Sequence, residues 1–271
     1  MLTESFQTIA AAARQSLKNW RSMILLAALY ASLLATLYFF VTVREASADQ
    51  VVLTLLLAML APILLFVLLT ASASQTRDFG PVLLLKDSLK NSWKVVLVSV
   101  PLIVLALFAV YLLGKAQTYF GADGSTLSNL AEHRMRMQNS GADTPRWNLI
   151  ALTTIRYFLI GTVLPIVAIH LWIASVREDL LPAIRKMKGL FVRALSPDTV
   201  LMYMAGFMVF GLIPYLLLFS ATPAKQVWLE IGLFAGRIVA TFLLSLFGWV
   251  VTMNALAISG QRKGHELSEK L

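Results

Sequence analysis

The chain contains no cysteine, which rules out disulfides, thiolate catalysis and any metal site that needs a thiolate. Histidine is nearly absent as well, with three in 271 residues. The one suggestive cluster, His133, Met135 and Met137, is interrupted by Arg134 and Arg136, whereas a soft metal site needs several convergent ligands. No metal and no cofactor is expected. Also missing are a Gly-rich phosphate loop, a His-Glu-x-x-His pair and a Gly-x-Ser-x-Gly elbow, the short patterns that tie residue spacing to a reaction. The 14 acidic residues lie mostly beside basic ones, where they form solvated faces. An enzyme is the class the residues favour least.

What the chain has in excess is apolar surface. Hydrophobic residues make up 58% and charged residues 14%, with a mean hydropathy of +0.76, against roughly 45–50% and about 25% in soluble domains. Most of the chain must face lipid. A net charge of +9 has the sign that attracts nucleic acid, but Lys and Arg stand in short segments beside apolar runs and build no separate basic domain. Anionic lipid head groups are therefore the expected partner, with other membrane proteins second and no nucleic acid.

Apolar runs long enough to cross a hydrocarbon core of roughly 30 Å occupy residues 22–43, 51–72, 95–113, 148–176, 199–220 and 227–258. The first is too long for a signal-peptide core of about 7–15 residues and is expected to be retained as a span. The expected fold is all-α: a single integral membrane domain over residues 1–271, with six spans in three hairpins, each hairpin preceded by an amphipathic helix in the membrane interface. The stripes that suggest those helices are Leu2, Phe6, Ile9, Ala13, Leu17 and Trp20; then Val82, Leu85, Leu89 and Trp93; then Leu180, Ile184, Met187, Phe191 and Leu195. Beside them stand Arg14, Lys18, Lys86, Lys90, Arg185, Lys186, Lys188 and Arg193, the residues expected to contact lipid head groups. Residues 115–147 form the only long polar loop, with a short helix expected to begin at Asn129 and Glu132, and residues 259–271 form a polar tail. Most of the 23 Lys and Arg residues fall in 1–21, 72–94, 177–198 and 259–271. Loops rich in Lys and Arg stay cytoplasmic, so both termini are expected inside and the long loop outside.

Ser16-Leu17-Lys18-Asn19-Trp20 returns as Ser88-Leu89-Lys90-Asn91-Ser92-Trp93, each copy closing a basic segment and opening an apolar run. The chain then divides into repeat units at about 1–74, 75–176 and 177–258, and the returning spans carry Pro62, Pro165 and Gly248, where a helix can bend or be closely approached. This plan resembles small bacterial six-span membrane proteins similar to the membrane domain of glycerophosphoryl diester phosphodiesterases, in which basic amphipathic helices alternate with hairpins carrying a mid-span Pro. The resemblance implies a multi-pass protein of the inner membrane. It carries over no activity, because no phosphodiesterase barrel is attached.

Ionisable groups inside a span are costly and are candidates for function. Arg156, Glu230 and Arg237 are expected to form a buried network that either holds spans four and six together or lines an anion-attracting pocket, unless Arg156 and Glu230 snorkel to the interface; Arg237, the deepest, is expected to contact Glu230, a carbonyl or a water-filled pocket and not to face lipid. His170 and Asn254 are expected to make interhelical polar contacts. Two functional readings follow: an interaction or scaffold protein that organises partners or lipids, and a small transporter or permease subunit. The spans are nearly all Leu, Val, Ala and Phe, which favours the first, since transport expects broken helices around a polar midplane site.

Overall fold

The computed structural model describes residues 2–43, 47–75, 80–121, 147–178, 180–185, 187–220 and 227–268. Among them the chain is helical: α1 (Leu2–Lys18), α2 (Trp20–Thr42), α3 (Ala48–Ser74), α4 (Pro81–Gly121), α5 (Trp147–Phe158), α6 (Leu164–Glu178), α7 (Leu180–Arg185), α8 (Met187–Ala194), α9 (Pro197–Phe207), α10 (Ile213–Phe219) and α11 (Val227–Ser268), with π-helical turns at Leu159–Val163 and Met208–Leu212. Six helical stretches are long and apolar enough to cross a membrane, and the chain is an all-α polytopic membrane protein.

The interfacial segments depart from the expected pattern. At Asn19 the backbone leaves the helical region (φ −92°, ψ 44°), so α1 is a helix separate from the first span. Residues 81–94, by contrast, do not form a helix of their own. They are the first turns of α4, whose 41 residues extend about 60 Å at about 1.5 Å each, roughly twice the hydrocarbon core. The third segment is split between α7 and α8. The expected loop starts later than residue 115, because α4 runs to Gly121, and α11 continues through the expected tail to Ser268. The helix expected at Asn129 and the His133 cluster lie outside the described residues.

By its contacts the chain forms two compact units, Met1–Ser99 with Ile166–Leu271, and Val100–Pro165, a division that cuts across the sequence repeat. In the first unit α11 packs against α1, α2, α3, α9 and α10. Leu26, Leu33, Leu68, Ala71, Leu84, Leu246 and Val250 form an apolar core, and Tyr30 stacks on Phe242 with ring centroids 5.0 Å apart. Residues 67–75 and 250–257 are buried on every side, and residues 166–176 nearly so. Each stretch lies in one of the returning spans, and small side chains let neighbouring backbones surround it, as in Thr70-Ala71-Ser72-Ala73-Ser74.

Two contacts set the spacing of α9 and α11. A Cβ placed on Gly206 would fall on the Thr252 hydroxyl and lie 2.7 Å from Thr252 Cγ2, and one placed on Gly248 would lie 3.0 Å from Phe210 Cβ. Each helix thus offers a glycine opposite a larger residue of the other. Just beyond, the Phe210 ring meets Trp249 edge to face at 5.6 Å.

The bends follow proline selectively. Leu164 N–H donates to Leu159 C=O and Ile213 N–H to Met208 C=O, five residues back instead of four. Each widened turn is followed at the same offset by a proline, Pro165 or Pro214, whose ring crowds the carbonyl one turn earlier and whose missing N–H removes a rung. Pro62, expected to mark a bend, lies within the uninterrupted α3, and Pro101 within α4. Gly248 serves close approach, not interruption.

Candidate functional site

The polar groups that the fold brings together lie in the first unit. Asn254 of α11, 1% exposed, donates through Nδ2 to Ser16 Oγ of α1 at 2.9 Å and to Gln75 Oε1, at the end of α3, at 3.4 Å. One amide thereby joins three helices. Ser16 is itself positioned by its hydroxyl, which donates to Ala12 C=O at 2.9 Å. Ser74 Oγ, Gln75 Nε2 and Asn254 Oδ1 are buried with no hydrogen-bond partner among the described residues. His170, the other group expected in an interhelical contact, is buried on α6. Two residues further on, Trp172 Nε1 donates to Ser99 Oγ of α4 at 2.9 Å.

The two copies of the Ser-Leu-Lys-Asn element share one burial pattern. Ser16 and Ser88 are buried, and both donate to the carbonyl four residues back. Leu17 and Leu89 are exposed at 63% and 54%, and Lys18 and Lys90 are exposed beside them. The inner face of α1 is Ser5, Thr8, Ala12 and Ser16, and that of α4 includes Leu84, Ser88, Asn91 and Val95, whereas Phe6, Trp20, Val82 and Trp93 point away from the protein. On α1 small residues therefore make the helix contacts, whereas α4 mixes Ser88 with Leu84 and Val95; on both helices large apolar residues are left for the membrane. The copies diverge at asparagine. Asn91 donates through Nδ2 to Asp87 Oδ1 at 2.9 Å and the helix continues, whereas the backbone at Asn19 breaks.

Of the remaining residues expected at head groups, Arg14, Lys86 and Arg185 are exposed, while Arg193 is partly buried and its Nε lacks a partner among the described residues. Lys186 lies outside the described residues, and for Lys188 only the helical backbone is described.

Of the three charges expected to form one network, Arg156 belongs to the Val100–Pro165 unit and Glu230 and Arg237 to the first. Arg156 Nη1 donates to Gln117 Oε1 at 3.4 Å, and Gln117 Nε2 donates to Thr153 Oγ1 at 3.1 Å, a clasp between α4 and α5 inside the Val100–Pro165 unit. Arg237 is partly buried and donates to the Ser220 carbonyl at the end of α10, where the last carbonyls of a helix carry partial negative charge. Glu230 is exposed and so is no member of a buried network. Both arginines find neutral oxygens, so neither needs a buried carboxylate.

Sequence reasoning missed Gln75, Ser74, Gln117 and the Gly206–Thr252 contact. The signal for the first two was the run of small residues ending α3; Gln117 carried none. No group of three or more metal-ligating side chains occurs among the described residues. No family model, curated protein or solved structure matches the chain.

Proposed function

We propose that this chain is a non-enzymatic protein of the bacterial inner membrane that organises anionic lipids and partner membrane proteins around a basic cytoplasmic face. The observation that carries the reading is the paired exposure of Leu17 with Lys18 and of Leu89 with Lys90, which offers lipid an apolar surface and a cation at one level. The test is co-purification in mild detergent. Anionic phospholipid should be retained in excess over zwitterionic lipid, together with a defined protein partner; a chain that retains neither does not have this role. The resemblance to the membrane domain of glycerophosphoryl diester phosphodiesterases belongs to the same proposal.

Orientation is part of the reading, with both termini inside. Alkaline phosphatase fused after Asn139 should be active and the same fusion after Lys188 inactive, since only the first site is expected to reach the oxidising side. The reverse result at either site overturns the topology.

One observation favours the alternative of a small transporter or permease subunit: the π-helical turns interrupt two of the spans, as broken helices do around transport sites. Because the chain has no cysteine, Gly161→Cys would report directly on water access at the first of these turns, and a Cβ there meets nothing within 4 Å. Labelling by an impermeant thiol reagent from both sides of the membrane would favour transport. Labelling from neither side is expected for the organising role.

A further inference from the structure

The basic face proposed above carries a concave site. Where α1 gives way to α2, residues 18–22, among them Lys18, Trp20 and Arg21, line a groove of about 400 Å³ together with Gly80 and Pro81 at the start of α4. Lys18 and Arg21 are both exposed, Arg21 lies 5.7 Å from the centroid of the Trp20 ring, and none of the described lining residues is acidic. Gly80 contributes no side chain to fill the space, and a Cβ there would meet nothing within 4 Å. Trp20, which lines the groove, and Ile24, one turn further along α2, are each exposed at 58% and lead from the groove along the first span, while Leu17, exposed at 63%, precedes them on α1.

Two cations beside a stripe of large apolar side chains complement a molecule that is anionic at one end and apolar at the other. Guanidinium and ammonium groups both form charge-assisted bonds to phosphate oxygens, and a free anion would make no use of Leu17 or Ile24. We infer that this groove holds the head group of one anionic phospholipid, with Lys18 and Arg21 on its phosphate and an acyl chain along Trp20 and Ile24. The inference rests on the membrane-facing role proposed above and assigns that role a specific site.

The second copy of the sequence element supplies an internal control. Lys90 follows Leu89 as Lys18 follows Leu17, but Asn91 is engaged with Asp87 and α4 runs on without a break. Lys86 and Lys90 therefore lie on the outside of a continuous helix, with equal charge, and line no part of this groove.

The test uses the full chain in mild detergent, with phosphatidylglycerol or phosphatidylcholine added and bound lipid counted by native mass spectrometry. The double change Lys18→Gln with Arg21→Gln should lower retained phosphatidylglycerol about tenfold or more, and Lys86→Gln with Lys90→Gln by no more than about twofold, since two bare surface charges also attract anionic lipid but without a binding site. Lys18→Arg should preserve retention. If the first double variant fails to fold, Lys18→Gln alone carries the test, with an expected loss of about fivefold. Equal losses from both pairs, or no loss from the first, overturn the groove while leaving the broader role standing. A wild-type chain that retains no phosphatidylglycerol overturns both. Displacement of the lipid by inorganic phosphate would make the groove a site for the free anion and overturn the lipid assignment.

Discussion

Gly206→Ala is expected to lower the thermal midpoint of the detergent-solubilised protein more than any other single methyl added to the first unit. The new Cβ would overlap the Thr252 hydroxyl and stand 2.7 and 2.9 Å from Thr252 Cγ2 and Cβ, distances that non-bonded carbons do not tolerate. Thr252 cannot easily rotate away, because its hydroxyl donates to Gly248 C=O at 2.6 Å and the residue is itself buried. The helices must separate, and separation also disturbs the Gly248–Phe210 contact one turn along. Overpacking of this kind costs about 1–3 kcal/mol, occasionally more. Gly232→Ala is the control: a Cβ there meets nothing within 4 Å, so the change should raise stability by about 0.5–1 kcal/mol through helix propensity alone. Thr252→Gly should recover part of the Gly206→Ala loss by removing all three clashing atoms. Equal midpoints for Gly206→Ala and Gly232→Ala would show that α9 and α11 do not approach closely here.

Asn254→Leu should be the most damaging change in the polar core. Its Nδ2 is shared between Ser16 on α1 and Gln75 at the end of α3, so one substitution takes a donor from two buried groups on two other helices. An interhelical hydrogen bond in a membrane averages only about 0.6 kcal/mol, but a buried polar group left without a partner costs about 1–3 kcal/mol, and the second figure applies because nothing else among the described residues replaces the amide. Unfolding of the protein in mixed micelles by increasing sodium dodecyl sulfate gives the measurement. Adding Gln75→Leu to Asn254→Leu should restore part of the loss, since the stranded Oε1 is then removed along with the buried Nε2 that has no partner in the native core. Strictly additive losses would show that the two amides do not interact. An Asn254→Leu variant as stable as wild type would remove the cluster as a structural determinant.

The contrast between the two Ser-Leu-Lys-Asn copies shows where reading residues stops. Both copies turn the serine inward and the leucine and lysine outward. Nothing within the motif says that one chain breaks at its asparagine and the other does not. Asn91 is held by Asp87 one turn before it, where the first copy has Gln15 one turn before Asn19. Proline carries the same lesson. Pro62, Pro101, Pro165 and Pro214 all lie within spans, and of these only Pro165 and Pro214 follow a widened turn.

The apolar stripes of α1 and α4 led to the expectation of interfacial helices with an apolar side and a basic side, and their large residues do point outward. The polar inner face was not anticipated, because in water-soluble helices the large apolar stripe is the one that packs. In lipid the preference reverses: acyl chains satisfy Leu, Phe and Trp as well as protein does, so small residues take the helix contacts. A carbonyl is among the partners expected of Arg237, and the one it meets ends α10; the shared helical face of Arg237 and Glu230 does not say which of those partners is met, because spacing within one helix gives no information about the end of its neighbour.

Sequence alone determined the class of this protein and the positions of its six spans to within a few residues in most cases, because the length and polarity of an apolar run act locally against a bilayer of set thickness. Tertiary structure decided which glycines are closely approached, which amide joins three helices and which of two matching basic elements lines the groove beside Gly80. The glycine and amide contacts depend on the atom that stands opposite, and in this chain that atom belongs to a residue far away in sequence, as Thr252 is from Gly206 and Ser16 from Asn254.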